Sequence, residues 1–395
     1  MRILFITTHN LATNPRLVKE IELALQQGFK VELICFEFDN WSRELNEQLK
    51  RKFEAIKMHI IPAGRKPWLP WLQSVIAESG GRFAGKIFPL PLSALSQAVS
   101  RRSSMIIKIL KNIDGADWVI GHSPGALYAT LVAANKFNCK AGFDVEDYHP
   151  GEVNDAYLQN LSRQLMQQVL PQMNYVSFAA PLIKEAVEKD CGRTSRDWFT
   201  VLNYFPAGEF SKPVAENEGK IKMVWFSQNI NAGRGLELVL SLVKEAGDKM
   251  ELHLFGNLNN DFYNTYLKDI SNIVIHQPVV QQELHRSLAQ FDIGLALEPA
   301  KDKNNELAVS NKILAYLQAG LFVVATNTAA QEKLLKEFPE HSFCFDYKGG
   351  GAKNMFEKII AETGPIRSRR SNRHEAFENR NWEKESLELL KRWDG

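Results

Sequence analysis

The chain is expected to fold as an α/β protein of two domains, each a parallel β-sheet flanked by helices. Three observations predict this. The 395 residues exceed the size at which a single hydrophobic core usually stops growing, and a hydrophobic fraction of 45% is ample for two cores. Short apolar runs alternate with helix-period stretches along the whole length, the pattern of parallel strands joined by crossover helices. The segment Phe291 to Thr328 condenses that pattern: an apolar run (Ile293 to Leu297), a polar loop, then Ser310-Asn311-Lys312 opening a helical stretch closed by Gly320, then a second apolar run from Leu321 to Ala325. It places Ser310, Asn311 and Lys312 at a helix start beyond the carboxyl end of a strand. Open α/β sheets bind ligands there, and free N–H groups favour anions.

Taken in order, Ile3–Thr7 reads as the first strand. A helix follows from about Pro15, which suits a first turn, to Gln27, and stops at Gly28. Val31–Phe36, Met58–Ile61, Trp118–Ile120, Ala141–Asp144 and Tyr175–Phe178 are the next strands, and Val201-Leu202-Asn203 ends this half. Tyr204 to Lys220, with Pro206, Gly208, Pro213 and Gly219, reads as a hinge linker. Met223–Phe226, Glu251–Phe255, Ile273–Ile275, Ile293–Leu297, Phe322–Ala325 and Phe343–Phe345 form the second alternation.

Composition narrows the function. A net charge of +2 argues against a general nucleic-acid binder. The cysteines Cys35, Cys139, Cys191 and Cys344 are scattered without a C-x-x-C, which predicts neither a disulfide framework nor a zinc site and fits a cytoplasmic, reducing setting. The amino terminus turns at once into a strand, without a signal-peptide layout, and no run of about 18 apolar residues predicts a membrane span. One stretch breaks the pattern. Between Ala55 and Ile113 nine Lys/Arg face one acid, Glu78, with Trp68, Trp71, Phe83 and Phe88 interleaved. It suits a solvated helical face over core aromatics, and equally an anionic membrane surface or a lipid-phosphate acceptor.

The segment NKILAYLQAGLFVVA, from Asn311 to Ala325, resembles the donor-binding pattern N-K-I-x-E-Y-x-x-A-G-x-P-V-I-A of retaining nucleotide-sugar glycosyltransferases of the GT-B fold. The resemblance extends to MRILFITTHNLATNPRLVKE at the start, to GADWVIGHSPGALYAT and KAGFDVEDYHPGE, to IKMVWFSQNINAGRGLELVL, to ELHLFGN, and to NWEKESLELLKRW at the end. It implies two Rossmann-like domains facing across a cleft. Residues 1–205 would form the acceptor-side domain and 206–380 the donor-binding domain, with 381–395 packing back on the first. It also implies transfer of a hexose-like sugar, with retention, from a nucleoside-diphosphate donor to a hydroxyl of a glycan or lipid-linked precursor. The chain would be cytoplasmic or peripheral on the inner membrane leaflet.

The site residues carried by the resemblance fall in three groups. Arg234, Lys312, Asn311, Ser310, Tyr316, Gly233 and Ser227 would bind the donor. An arginine fork can pair two phosphate oxygens, and glycines let backbone approach closely. Glu146, Asp144 and His149 would orient the reacting groups, since a carboxylate at a strand's end can hold a hydroxyl. His9, Asn10, Asn14, Arg16 and His122 would lie on the acceptor side. No cofactor and no metal are implied: a D-x-D motif is absent, and Arg234 and Lys312 can take the cation's role.

The sequence departs from the family at three places. Ser227-Gln228 stands where an earlier Gly-Arg is usual, Ala315 where a ribose-binding glutamate is common, and the loop after the first strand lacks paired glycines. Glu298 or Glu306 could replace the missing carboxylate from the loop. Other enzyme classes fit less well. Thr7-Thr8-His9-Asn10 replaces a dinucleotide-binding G-x-G-x-x-G, no G-x-x-x-x-G-K-[ST] occurs, and Gly121-His122-Ser123-Pro124-Gly125 lacks the G-x-S-x-G spacing. Sugar-nucleotide epimerases share the fold. From another class, a non-catalytic relative that binds a sugar nucleotide or a partner enzyme fits Ala315 and Gln228.

Overall fold

The computed structural model describes residues 1–213, 219–348 and 350–394, so part of the expected linker, 214–218, lies outside the described residues. The chain divides into two compact units, residues 1–201 with 388–395, and residues 202–387. Each is a parallel sheet covered by helices.

In the first unit the strands are β1 (Arg2–Thr7), β2 (Lys30–Glu37), β3 (Lys57–Pro62), β4 (Trp118–His122), β5 (Lys140–Val145), β6 (Tyr175–Phe178) and β7 (Trp198–Thr200). They lie in the order β3-β2-β1-β4-β5-β6-β7, every pair parallel. β7 escaped the sequence reading because Trp198-Phe199-Thr200 is too short to show a period. The central strands are buried on both faces, which is why β1 and β4 read as unbroken apolar runs. The helix Pro15–Gln26 starts where expected: the Asn14 side chain accepts from Leu17 N at 3.0 Å, and Pro15 needs no donor there. The last residues complete this unit. Trp118 Nε1 donates to the Trp393 carbonyl at 3.2 Å, and Trp393 Nε1 donates to Tyr175 Oη at 3.0 Å.

In the second unit β8 (Ile221–Ile230), β9 (Met250–Leu258), β10 (Ile273–His276), β11 (Ile293–Ala296), β12 (Phe322–Thr326) and β13 (Ser342–Phe345) take the order β10-β9-β8-β11-β12-β13. Alternate residues feed separate cores on the two faces: Trp225, Leu295 and Val324 on one, Val224, Ala296 and Val323 on the other. One boundary differs from expectation. β8 continues past Phe226 through an irregularity and pairs Asn229 with Asn257, so the following loop begins only at Asn231. Gly256 permits this. Its φ of +148° brings it so near Ser227 that a Cβ would lie 2.2 Å from that carbonyl oxygen.

In both sheets the chain runs outward from a central strand and then returns to that strand's other side. The reversal falls between β1 and β4 in the first sheet and between β8 and β11 in the second. The carboxyl ends of those strand pairs are where open α/β sheets leave a crevice for ligands.

Candidate functional site

At the reversal of the second sheet, the loop after β8 carries Gly233 (φ +72°), the exposed Arg234 and Gly235 (φ +88°). Gly235 presses on the end of β11, where an added Cβ would lie 2.5 Å from the Leu297 carbonyl oxygen. A Cβ on Gly233 would meet the Lys301 ammonium at 3.3 Å, which puts a second cation beside the glycine loop. Lys301 was not anticipated; its place in the polar run after Pro299 gave no pattern to find it by.

The helix Asn311–Gln318 starts nearby in the same unit. Ser310 caps it, accepting from Lys312 N at 3.3 Å. Lys312 Nζ donates to Glu298 Oε1 at 2.5 Å, and Ser310 Oγ donates to the same oxygen at 2.9 Å. Lys312 also stands 5.8 Å from the Trp225 ring. Asn311 is exposed and accepts from Asn203 Nδ2 at 2.9 Å. Glu306 is engaged elsewhere, accepting from Ala329 N at 3.0 Å, so Glu298 is the carboxylate left at this helix start.

Two expected donor contacts fall outside this cluster. Tyr316 is fully buried, its ring against Gly294 and its hydroxyl 3.4 Å from the Leu295 carbonyl, because the helix turns that position into the core. Ser227 lies within the extended β8 strand rather than in the loop. Ala315 is fully buried as well.

At the reversal of the first sheet, a cavity of about 320 Å³ opens among Thr8, His9, Arg102, Ser123, Glu146 and His149. Ser123 forms the turn from β4 into the helix Pro124–Phe137 with φ +73°, a conformation that costs a non-glycine residue about 1–3 kcal/mol and must be held by its surroundings. Its hydroxyl pairs with Thr8 Oγ1 at 2.6 Å and accepts from Thr8 N at 3.1 Å. Arg102 donates to the Thr8 carbonyl at 3.0 Å and lies over the Phe38 ring at 4.6 Å. His149 Nδ1 meets Glu152 at 2.9 Å, while its buried Nε2 has no hydrogen-bond partner among the described residues. Burial opposes charge on His149, but the bond to Glu152 and the nearby acids raise its pKa. His9 shifts the other way: burial, aided by Arg102 and His149, lowers its pKa, so its ring favours the neutral form. The cavity thus holds an imidazole that favours its neutral form (His9), a ring nitrogen without a partner among the described residues (His149 Nε2) and a half-buried carboxylate (Glu146).

Behind it lies a buried charge network. Arg16 grips Asp144 with Nε to Oδ2 at 2.6 Å and Nη2 to Oδ1 at 2.9 Å, and Nη1 donates to the Val201 carbonyl at 2.7 Å. Ser177 Oγ donates to Asp144 Oδ1 at 2.5 Å. His122 stands between carboxylates, Nδ1 3.1 Å from Glu146 and Nε2 3.2 Å from Glu20. Burial would strip its proton, yet Glu20 above all, then Glu146 and Asp144, push its pKa up to about 10. Glu20, His122 and Asp144 could offer ligand atoms within 4.8 Å of one another, but Arg16 and the imidazolium already supply the positive charge there.

The expected first-half residues therefore separate. His9, Glu146 and His149 line the cavity. Asp144, Arg16, His122, Asn10 and Asn14 are almost wholly buried. Asn10 and Asn14 cap local turns, accepting from Thr13 N and Leu17 N. These five reach a ligand only by positioning others. Glu20, Ser123 and Arg102 were not foreseen: nothing local marks Glu20 or Arg102, while Ser123 precedes a proline, which favours an extended turn.

The two parallel-sheet domains have the GT-B fold. Neither a family model nor a curated protein matches the sequence. Among solved structures, HepE from Anabaena in complex with UDP and glucose superposes with a TM-score of 0.66 at 12% identity, covering 100% of this chain and 99% of that one. A glycosyltransferase from Rickettsia africae gives 0.66 at 14% identity, covering 99% and 97%. Sucrose-phosphate synthase from Thermosynechococcus elongatus gives 0.64 at 11% identity, covering 100% and 98%.

Proposed function

We propose that this protein is a glycosyltransferase that moves a hexose-like sugar from a nucleoside-diphosphate sugar to a hydroxyl of a glycan or lipid-linked precursor, with retention, in polysaccharide biosynthesis. The observation that carries the reading is the set of cations Arg234, Lys301 and Lys312 around Gly233 and Gly235 at the carboxyl ends of β8 and β11. A leaving diphosphate needs such a set, and preorganised charge is worth most where charge develops. The similarity to HepE, whose structure holds UDP and glucose, supports a uridine nucleotide as the first donor to try. Glu298 takes the ribose in place of the family glutamate, since one of its oxygens remains beyond the Ser310 and Lys312 bonds.

In the transfer, the bond from the sugar C1 to the phosphate oxygen breaks and its electron pair leaves with the diphosphate. The acceptor oxygen bonds to C1 and gives its proton to the departing phosphate, which accounts for retention without a protein nucleophile. The first unit's cavity holds the acceptor, with Glu146 and His149 Nε2 as its polar contacts.

Calorimetry with UDP-, GDP- and ADP-sugars, followed by an assay of released nucleotide and proton NMR of the product's anomeric centre, tests each part. No binding by any of the three overturns the reading; an inverted product overturns retention alone. A second reading, a non-catalytic sugar-nucleotide binder, draws on Ala315 being fully buried and on Lys312 being paired to Glu298. Binding without turnover on any acceptor would favour it.

A further inference from the structure

The helix Trp68–Ala84 turns its large apolar side chains outward. Trp68 is 67% exposed, Ile76 62% and Phe83 69%, with Leu69 and Leu72 exposed beside them. At about 100° per residue these five share one arc of about 100°. The opposite side is small: Ser74 is its one buried residue, and Gly81 packs so near Ala98 that a Cβ would lie 3.2 Å from that methyl. An ordinary surface helix does the reverse and points its apolar stripe at the core. Ile87 and Phe88, exposed by 56% and 67%, extend the patch past the helix end. A contiguous exposed apolar patch of this kind marks an interaction surface.

The rim says what covers it. No charged residue lies on the arc. Arg65 and Lys66 precede the helix, and Arg82 and Lys86 close it. Arg65 and Arg101 stack near the Trp71 ring at 5.5 and 6.0 Å, and Lys108 reaches Gln73 at 3.4 Å. The single acid of the stretch, Glu78, is paired with Arg82 at 2.9 Å. A helix with an apolar arc, a tryptophan at one end and a cationic rim matches an anionic headgroup layer. No helix among the described residues is long and apolar enough to cross a membrane, so the contact would lie in the surface plane.

We propose that the helix Trp68–Ala84 docks this protein on an anionic lipid bilayer, with its apolar arc at the boundary of headgroups and acyl chains. The same helix carries Arg82 to the wall of the first unit's cavity. Docking therefore brings that cavity to the membrane surface and makes a lipid-linked hydroxyl the acceptor class. That last step rests on the sugar-transfer reading; the docking does not.

Co-sedimentation with phosphatidylcholine vesicles, with and without phosphatidylglycerol, tests it. The protein should pellet with the anionic vesicles only and be released by salt, because exposed charges are screened over about 8 Å at physiological ionic strength. Replacing Lys66, Lys86 and Lys108 by Gln should lower partitioning at least about tenfold, since each basic side chain near such a surface adds to the attraction. Ile76→Ser with Phe83→Ser should cause a loss of similar size that low salt does not repair, with melting unchanged because both side chains are exposed. UDP-sugar affinity, measured on the same variants, should stay at the parent value, which separates this test from the donor reading. Equal binding to neutral vesicles, no binding, or parent-like binding by the variants overturns the docking. So does a dimer in light scattering that Phe83→Ser disperses while vesicles are ignored, which would assign the patch to a second copy of the chain.

Discussion

The reversal points of the two sheets occupy the same topological position and use charge in opposite ways. At the first, Arg16, Asp144, Glu20 and His122 are buried and bound to one another, while Glu146, His9 and His149 line the cavity in front of them. At the second, Arg234 stands exposed between two glycines, the exposed Lys301 reaches Gly233 from another loop, and Lys312 is held by a partly exposed glutamate. Charges sealed in a core must satisfy each other, because an unpaired one costs several kcal/mol. Charges at a surface crevice remain available to a ligand. The first cluster thus fixes geometry, and the second leaves positive charge free for an anion.

The sharpest way to break this contrast is Arg16→Ala. It should destabilise the fold by about 3–5 kcal/mol, the usual penalty for leaving a buried carboxylate alone. Urea denaturation measures it, and a parent-like midpoint would mean that Asp144 does not depend on Arg16. Arg234→Ala should do the opposite: unchanged melting, with UDP-sugar affinity and transfer down at least about tenfold, as a lost charge-assisted phosphate bond costs roughly 1.5–3 kcal/mol. Unchanged binding would remove Arg234 from the site. Lys312→Ala should follow with a smaller loss, since an ammonium lacks the fork.

The buried imidazolium adds a pH signature to the first cluster. The folded chain keeps the His122 proton up to about pH 10, whereas the ordinary value is 6.5. Below 6.5 both states hold the proton and the contribution is complete. Between those limits the folded chain binds one proton more, so stability falls as pH rises, by at most about 1.4 kcal/mol per unit. His122→Gln should flatten that slope in denaturation curves taken from pH 6.5 to 10; a slope that survives would assign the proton to another group. The smallest effect expected is that of Glu298→Gln. If this carboxylate takes the ribose, UDP affinity should drop roughly two- to tenfold, the worth of about 0.5–1.5 kcal/mol for one hydrogen bond. An increase would instead show that Glu298 competes with the phosphates for Lys312.

Much of this architecture was legible beforehand because parallel strands buried on both faces must be apolar without interruption. Ile3 to Thr7, Ile293 to Leu297 and Phe322 to Ala325 could hardly be anything else. Helix starts were legible for a similar local reason: Pro15 and Ser310 carry their helix-start chemistry in the residue type. Gly233 and Gly235 announced a loop of close backbone approach, and both take positive φ. These are short-range constraints, and the sequence alone determines them.

What the sequence could not decide is which polar residues face each other after folding. His122 and Glu20 are 102 positions apart, and Arg16 and Asp144 are 128 apart, yet each pair forms one buried contact. The same residue types on a surface would have been solvated and free. Tyr316 read as a donor contact from its place beside Ala315, but the direction of the Asn311–Gln318 helix sends it under Gly294. Lys301 comes beside Gly233 only through the fold of its loop. The helix Trp68–Ala84 is the clearest case. Its composition allowed either a core-facing or an outward apolar side, and packing of Ser74 and Gly81 inward left the tryptophan, isoleucine and phenylalanine in solvent. Local sequence sets which backbone each segment adopts; which face is buried depends on partners distant in the chain, and only tertiary packing chooses them.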